Sequence, residues 1–452
     1  MRYSATLTLC LVLLGTPRDA LPQSAETHLL SRATYGARPA DLERARTLGI
    51  GKWLDEQLAP DRIDDARTDQ ALAQFAGLRM SFTELSQTYA PNGQGEKRPQ
   101  QLLQELVGAK LTRAVYTERQ LEEVMTDFWF NHFNVFFGDG PVRYLVGDYE
   151  EKAIRAHVFG KFYDMLRATA QHPAMLVYLD NAMSNSRRGV NENYARELLE
   201  LHTLGVDGGY AEEDVREIAR AFTGWTVVRA GAGVGAGAGR GNRSGRGARE
   251  PGTFQFVPQL HDDGEKHVLG RTLPSGRGVE DGEEVLRMLA SHPSTAKFIA
   301  TKLVQRFVND DPPADFVNEL AAVFTKTDGD LRAVMRALFA SPRFYEARHV
   351  NAKVKTPFEL VASALRVSNA EFRFTPQLAQ TLRTLGQLPY TETAPTGFPA
   401  ASDEWVNSGA MLNRINFGIA LANNRMNGVR TNWDAARGDA AQVLGSPEFQ
   451  RR

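Results

Sequence analysis

Apolar positions recur along most of the chain at spacings of three and four residues, the period of a helix with one buried face. The pattern predicts a helix to about Tyr35, a Gly-Ala-Arg-Pro turn, and a second helix ending in WLDEQL before Pro60. One or two long helices over 100–137 come next. Further helices are expected at 148–170, 191–204, 211–224, 281–309, 314–325, 330–340, 354–369, 376–385 and 407–425. His172-Pro173, Gly208-Gly209, Ser341-Pro342 and Gly386 punctuate them, since proline lacks the helical donor and glycine accepts the left-handed turn that closes a helix. Period-two alternation is scarce. FQF at 254–256 and HVLG at 267–270 are expected to pair as one short hairpin near 254–270. The fold class is all-α, a large multi-helix domain with that minor hairpin.

Two stretches depart from the helical pattern. Arg2 followed by the apolar run Ala5 to Gly15 has the form of a secretory leader and is too short to span a bilayer. Residues 1–25 are therefore read as a signal peptide, 26–452 as one large helical domain, and the protein as exported to the periplasm or beyond the cell. The second stretch, RAGAGVGAGAGRGNRSGRGARE at 229–250, offers no apolar anchor and much glycine entropy. It reads as a flexible Gly/Arg-rich insertion and allows a division into two lobes, 26–228 and 251–452. Its glycines miss the i, i+2, i+5 spacing of a dinucleotide loop, and its arginines have no aromatic residues between them for base stacking. No other segment is long and apolar enough to cross a membrane.

Composition narrows the chemistry. With 53 Lys and Arg against 54 Asp and Glu, no global basic field exists to hold nucleic acid. The single cysteine, Cys10, lies inside the leader, so the processed chain would have no disulfide, thiol nucleophile, zinc ribbon or iron–sulfur cluster. HExxH, G-x-S-x-G and P-loop patterns are all missing.

Three segments could carry chemistry. In LEEVMTDFWFNHFNVFF (121–137), Leu121, Met125, Phe128, His132 and Phe136 share a face, which sets an imidazole in an apolar wall. Glu123, Asp127, Asn131 and Asn134 run beside it. His132 is either a buried histidine satisfied by one hydrogen bond, or a ligand or proton carrier. In GVNENYARELLELHTLGVDGGY (189–210), Asn193, Glu197 and Glu200 share a face, while Glu192, Arg196 and Glu200 form an i, i+4 ladder. Such a ladder is ordinarily solvated, although two carboxylates one turn apart can also bind a cation or share a proton. In FQFVPQLHDDGEKHVLG (254–270), His261, Asp262, Asp263 and Lys266 form the densest polar turn of the chain, either a plain turn or a functional loop.

Taken together, several segments resemble one family, the bacterial proteins grouped as domain of unknown function 1800. They are HLLSRATYG (28–36), WLDEQL (53–58), FWFNHFNVF (128–136), NENYARELLELHTLGVDGGY (191–210) and DVREIARAFTGW (214–225). HDDGEKHVLG (261–270), TDGDLRAVMRALFASPRF (327–344), KVKTPFEL (353–360), GQLPY (386–390), PTGFP (395–399) and the stretch 405–417 continue the match in order, and the Gly/Arg insertion stands outside it. The resemblance implies an exported, mainly helical protein and supplies no catalytic residues. It also implies a partner among exported proteins, since such chains resemble companions of a second secreted family with an alkaline-phosphatase-like look.

Two functions follow as expectations. One is an extracytoplasmic hydrolase or metal-assisted enzyme, with His132, Glu197 and His261 as catalytic candidates, Asn131, Asn193, Arg196, Asp262 and Lys266 as binding candidates, and a divalent metal as the candidate cofactor. The other is a noncatalytic envelope or surface factor that binds another exported protein. The enzyme requires His132, Glu197 and His261 to converge in one pocket, whereas the factor requires an exposed apolar patch.

Overall fold

The computed structural model describes residues 24–228, 250–434 and 438–452. The leader (apart from its last two residues) and the Gly/Arg insertion (apart from Glu250) lie outside the described residues. Within them the fold is all-α with short antiparallel strand pairs. No helix among the described residues is long and apolar enough to cross a membrane.

Expected helices form where caps and periodicity agree, and divide where a breaker intervenes. The 100–137 pattern resolves into Pro99–Tyr116 and Gln120–His132, separated at Thr117, which is extended and donates its hydroxyl to Asp65. The 281–309 pattern splits at His292-Pro293 into Glu280–Ala290 and Pro293–Phe307, with His292 Nδ1 accepting from Ser294 N. Asp330 caps Leu331–Ala340 by accepting from Ala333 N.

Two predicted helices are not regular. The 148–170 segment begins with Val146–Tyr149, widens into a π-turn at Glu150–Ile154, and restarts as Phe162–Gln171. Likewise, Asn193–Glu197 is α-helical but Leu198–Thr203 is a π-helix, where the Thr203 hydroxyl donates to Leu198 O at 2.6 Å. Apolar spacing cannot distinguish an α-turn from one widened by a residue. Both wide turns flank the site described below, in keeping with the frequent occurrence of π-bulges at functional positions.

The expected hairpin is replaced by two other pairings. Phe254–Phe256 pairs with Trp225–Val227, joining the chain on either side of the insertion. Lys266–Val268 pairs with Arg271–Leu273 around Leu269 and Gly270, whose φ values of 49° and 75° make the tight turn that matches strand twist. This local closure leaves Phe254–Phe256 free for its other partner.

One apolar cluster runs from Leu29 to Leu444. At its centre lies Gln120–His132, which buries Leu121, Val124, Met125, Phe128, Trp129 and Phe130, so nearly its whole circumference is covered. Distant parts of the chain interlock. His28 Nε2 donates to Phe344 O at 3.0 Å, and the buried Arg366 guanidinium donates to Gly36 O, Val115 O and Asp41 Oδ2.

Candidate functional site: a buried cationic cavity

The C-terminal end of Gln120–His132 faces Pro293–Phe307 across a cavity of about 90 Å³. A water needs roughly 10–15 Å³ of such space, so there is room for several waters or one small ligand group. FWFNHFNVF, KVKTPFEL, GQLPY and PTGFP, far apart in the chain, all contribute to its wall. That wall carries five cationic side chains, Lys110, Lys302, Arg306, Lys353 and Arg452, against one carboxylate, Asp127. In the larger hollows elsewhere on the protein, of about 620 and 700 Å³, carboxylates outnumber cations.

Carboxylates behind the wall neutralise only part of this charge. Lys110 Nζ lies 2.8 Å from Glu150 Oε2 and 3.3 Å from Asp127 Oδ1. Burial opposes the Lys110 charge, but Glu150 and then Asp127 more than offset it and raise the ammonium pKa. The π-turn at Glu150–Ile154 keeps Glu150 buried, where it also accepts from the Tyr390 phenol at 3.2 Å. Lys353 pairs with Asp310. Arg306 and Arg452 share Glu359, at 2.5 and 3.0 Å. Arg32, fully buried nearby, donates from Nη2 to His349 O and leaves Nε and Nη1 unmatched. Lys302 has no hydrogen bond or ion pair among the described residues; its ammonium sits over the Phe298 ring, and burial lowers its pKa. Arg32, Arg306 and Lys353 thus depend on two carboxylates, Glu359 and Asp310, Arg452 draws on the first of these as well, and part-buried Lys302 has neither. An uncompensated buried charge costs several kcal/mol.

His132 completes the wall. It is 4% exposed, and its Nε2 lies 3.1 Å from His202 O, presented by the second π-helix. A carbonyl can only accept, so the proton sits on Nε2 and Nδ1 carries a lone pair. That nitrogen has no partner. Burial, then the Lys302 and His202 charges, hold the His132 pKa well below the ordinary imidazole value. Burial likewise pushes His202 down to about 3. Asp127 is the second acceptor at the cavity: only its Oδ1 lies near a cation, and Oδ2 has no partner among the described residues.

Asn131 acts as a clamp. Its Nδ2 donates to Phe398 O at 2.9 Å and its Oδ1 accepts from Phe398 N at 2.7 Å. Asn134 Nδ2 donates to Glu392 O and Ala394 O. Together they press the 392–399 loop onto the cavity. Gly397 is required there, because with φ at 73° a Cβ would lie 2.3 Å from Asn131 O.

The other candidates lie elsewhere. Glu197 is part-buried beside Glu200 and Arg196, with its pKa raised by burial and then by Glu200. It is linked to the cavity only indirectly, through Tyr178, whose phenol donates to Thr393 O and is affected by the Glu197 charge. Asn193 is exposed, and its backbone N donates to Asn191 Oδ1. Arg196 is occupied by Glu192, Glu200 and Glu212.

The His261 loop is self-contained. His261 Nδ1 donates to Thr223 O at 2.9 Å, and Nε2 faces Asp281 Oδ2 at 3.3 Å. Lys266 is fully buried and donates to Asp281 Oδ2, Asp262 O and Gly264 O. Asp262 forms a two-point pair with Arg220, which holds its carboxyl below the usual range. Of His132, Glu197 and His261, expected to converge in one pocket, only His132 lines this cavity. Among the described residues no group of three or more His, Cys, Asp or Glu side chains is placed to hold a metal ion.

Sequence reasoning missed Lys302, Arg306, Lys353, Arg452, His202 and Asp281, and read Asp127 only as part of a polar stripe. One signal was available. Lys110 interrupts the largely apolar VGAKLTRAV within a strongly helical stretch, as a buried lysine needing a carboxylate would. No curated protein and no solved structure matches the chain. The family described as protein of unknown function (DUF1800) matches residues 28–451, nearly the full length, and the chain belongs to that family.

Proposed function

We propose that the cavity between Gln120–His132 and Pro293–Phe307 binds a small anion, or the anionic group of a larger ligand, and that an exported hydrolase uses it to hold its substrate. The observation that carries this reading is the unmatched charge: Lys302 without a partner and Glu359 shared by Arg306 and Arg452. An oxyanion there would supply the missing acceptors, and charge-assisted hydrogen bonds are about twice as strong as neutral ones. Hydrolysis is supported by His132, which lines the same wall and keeps a buried, unpartnered Nδ1 lone pair. Export is supported by the apolar run Ala5 to Gly15 behind Arg2.

Titration calorimetry with acetate, sulfate and phosphate, on the parent protein and on Lys302→Ala, tests the anion site. Saturable binding of at least one anion, weakened tenfold or more in the variant, is expected; no binding of any of them overturns the reading. Release of nitrophenol from phosphate, sulfate and carboxylate esters tests the hydrolase, which is rejected if anions bind but no ester turns over. A second reading, docking to another exported protein, is favoured by Leu412, Ile415 and Ile419. They are 59%, 38% and 41% exposed on one face of Ser408–Ala422.

A further inference from the structure

The cavity combines cations with two acceptors that a fully ionised anion could not satisfy. Asp127, part-exposed at the cavity, is held only by Lys110, 3.3 Å from Oδ1, and a carboxylate can only accept. The lone pair on His132 Nδ1 is fixed by the Nε2 hydrogen bond to His202 O. Lys302, Arg306 and Lys353 therefore ask for negative oxygen, while Asp127 and His132 ask for a proton donor on the same small ligand. Sulfate at neutral pH has only acceptor oxygens. It would set a lone pair against Asp127 Oδ2, displacing its water without replacing that hydrogen bond, and would leave the His132 Nδ1 lone pair unpaired. Inorganic phosphate keeps one or two protons near neutral pH. It can accept from the lysines and arginines and donate to Asp127 or His132.

We infer, building on the anion-site reading above, that the cavity selects a protonated phosphoryl group over sulfate, with Asp127 Oδ2 and His132 Nδ1 as the specificity-determining acceptors. A site built to accept a ligand hydroxyl can reject an analogue lacking it by orders of magnitude, because the buried acceptor is left unpaired. The cavity has room for one such group, and the chemistry is shared by free phosphate and by the end of a phosphate monoester.

Calorimetric titration with phosphate, arsenate and sulfate at one pH and ionic strength tests the inference. Arsenate keeps a proton as phosphate does, so both are expected to bind at least about 30-fold tighter than sulfate. Asp127→Asn supplies a donor in the same volume and is expected to bring sulfate to within about threefold of phosphate; a melting curve checks that the variant is folded. Phenyl phosphate at about pH 6, where an ester phosphate keeps its second proton roughly half the time, distinguishes the source. If it binds like phosphate, the group belongs to a larger molecule; if only phosphate and arsenate bind, the ligand is the free ion. Equal binding of sulfate and phosphate by the parent protein overturns the selectivity and leaves the anion site intact. Failure of all of them to bind overturns both, and neither result depends on the variant folding.

Discussion

The protein buries two ionic clusters that look alike in composition and differ in closure. Around Asp281, one carboxylate receives Lys266 at 2.7 Å and His261 at 3.3 Å, with Arg277 Nε 3.4 Å from its other oxygen. Lys266 completes its remaining bonds on the carbonyls of its own turn. Around the cavity, Lys302 has no partner, Arg306 and Arg452 divide one carboxylate, His132 keeps a buried acceptor unmatched, and part-exposed Asp127 meets only Lys110. The first cluster is neutralised by the fold, with Asp281 Oδ1 held only by the Arg277 ion pair and taking no hydrogen bond. The second is left incomplete beside a void, and a ligand would finish it. The comparison teaches that density of charged residues is a poor guide to function, whereas unmatched buried charge beside a cavity is a better one.

Removing a partner from the closed cluster should have the largest effect. Lys266→Met leaves Asp281 buried with its main cation gone and should cost about 3–5 kcal/mol by urea unfolding. Lys266→Met combined with Asp281→Leu should recover most of that loss, and a variant as stable as the parent would dissolve the contrast.

Acid should act next, through the cavity side. His132 and His202 are buried neutral, with folded pKa values below the unfolded value near 6.5. The unfolded chain therefore binds protons first as pH falls. Their contribution is complete above about pH 6.5 and declines as pH drops toward the folded values. Between pH 7 and 5 His202 should forfeit about 2 kcal/mol, read from urea midpoints at the two pH values, and His132 adds to the loss in the same direction. His202→Gln should remove about 2 kcal/mol of the total fall between the two pH values, to which His28 and the other buried histidines also contribute, and an unchanged slope would refute the assignment.

Lys302→Met inverts the result for Lys266. Removing an unpaired, part-buried charge should leave stability unchanged or raise it by up to about 1 kcal/mol, while anion affinity falls at least tenfold, about 1.4 kcal/mol. A loss of stability comparable to that of Lys266→Met would make Lys302 structural. The smallest effect belongs to the exposed face: Ile415→Ser should move stability by less than about 0.5 kcal/mol and leave anion binding as it was. A larger loss would mean that this face is packed in the free protein.

Much of the fold was legible. Pro376–Leu385 forms with the predicted bounds because Thr375 caps it, Pro376 starts it and Gly386 ends it, all within a few residues. The π-turns were not legible, since one extra residue per turn barely disturbs apolar spacing. Of the site, Asn131 and His132 were visible as polar residues inside an apolar helix pattern. Lys302 and Arg306 were not, because an i, i+4 pair of cations on an amphipathic helix looks like any solvated face. His261 seemed promising for a reason the structure reverses: its polar neighbours are the partners that consume it.

The sequence by itself determined the helical class, several helix ends and the family, because those rest on periodicity, caps and segments read locally. The tertiary structure alone decided which charges are matched. Glu359 meets Arg306 and Arg452, Glu150 meets Lys110, and Lys302 meets none, through approaches between elements distant in the chain that no local pattern encodes. Burial then gives those approaches their weight, since a missing partner costs little in water and several kcal/mol inside the fold.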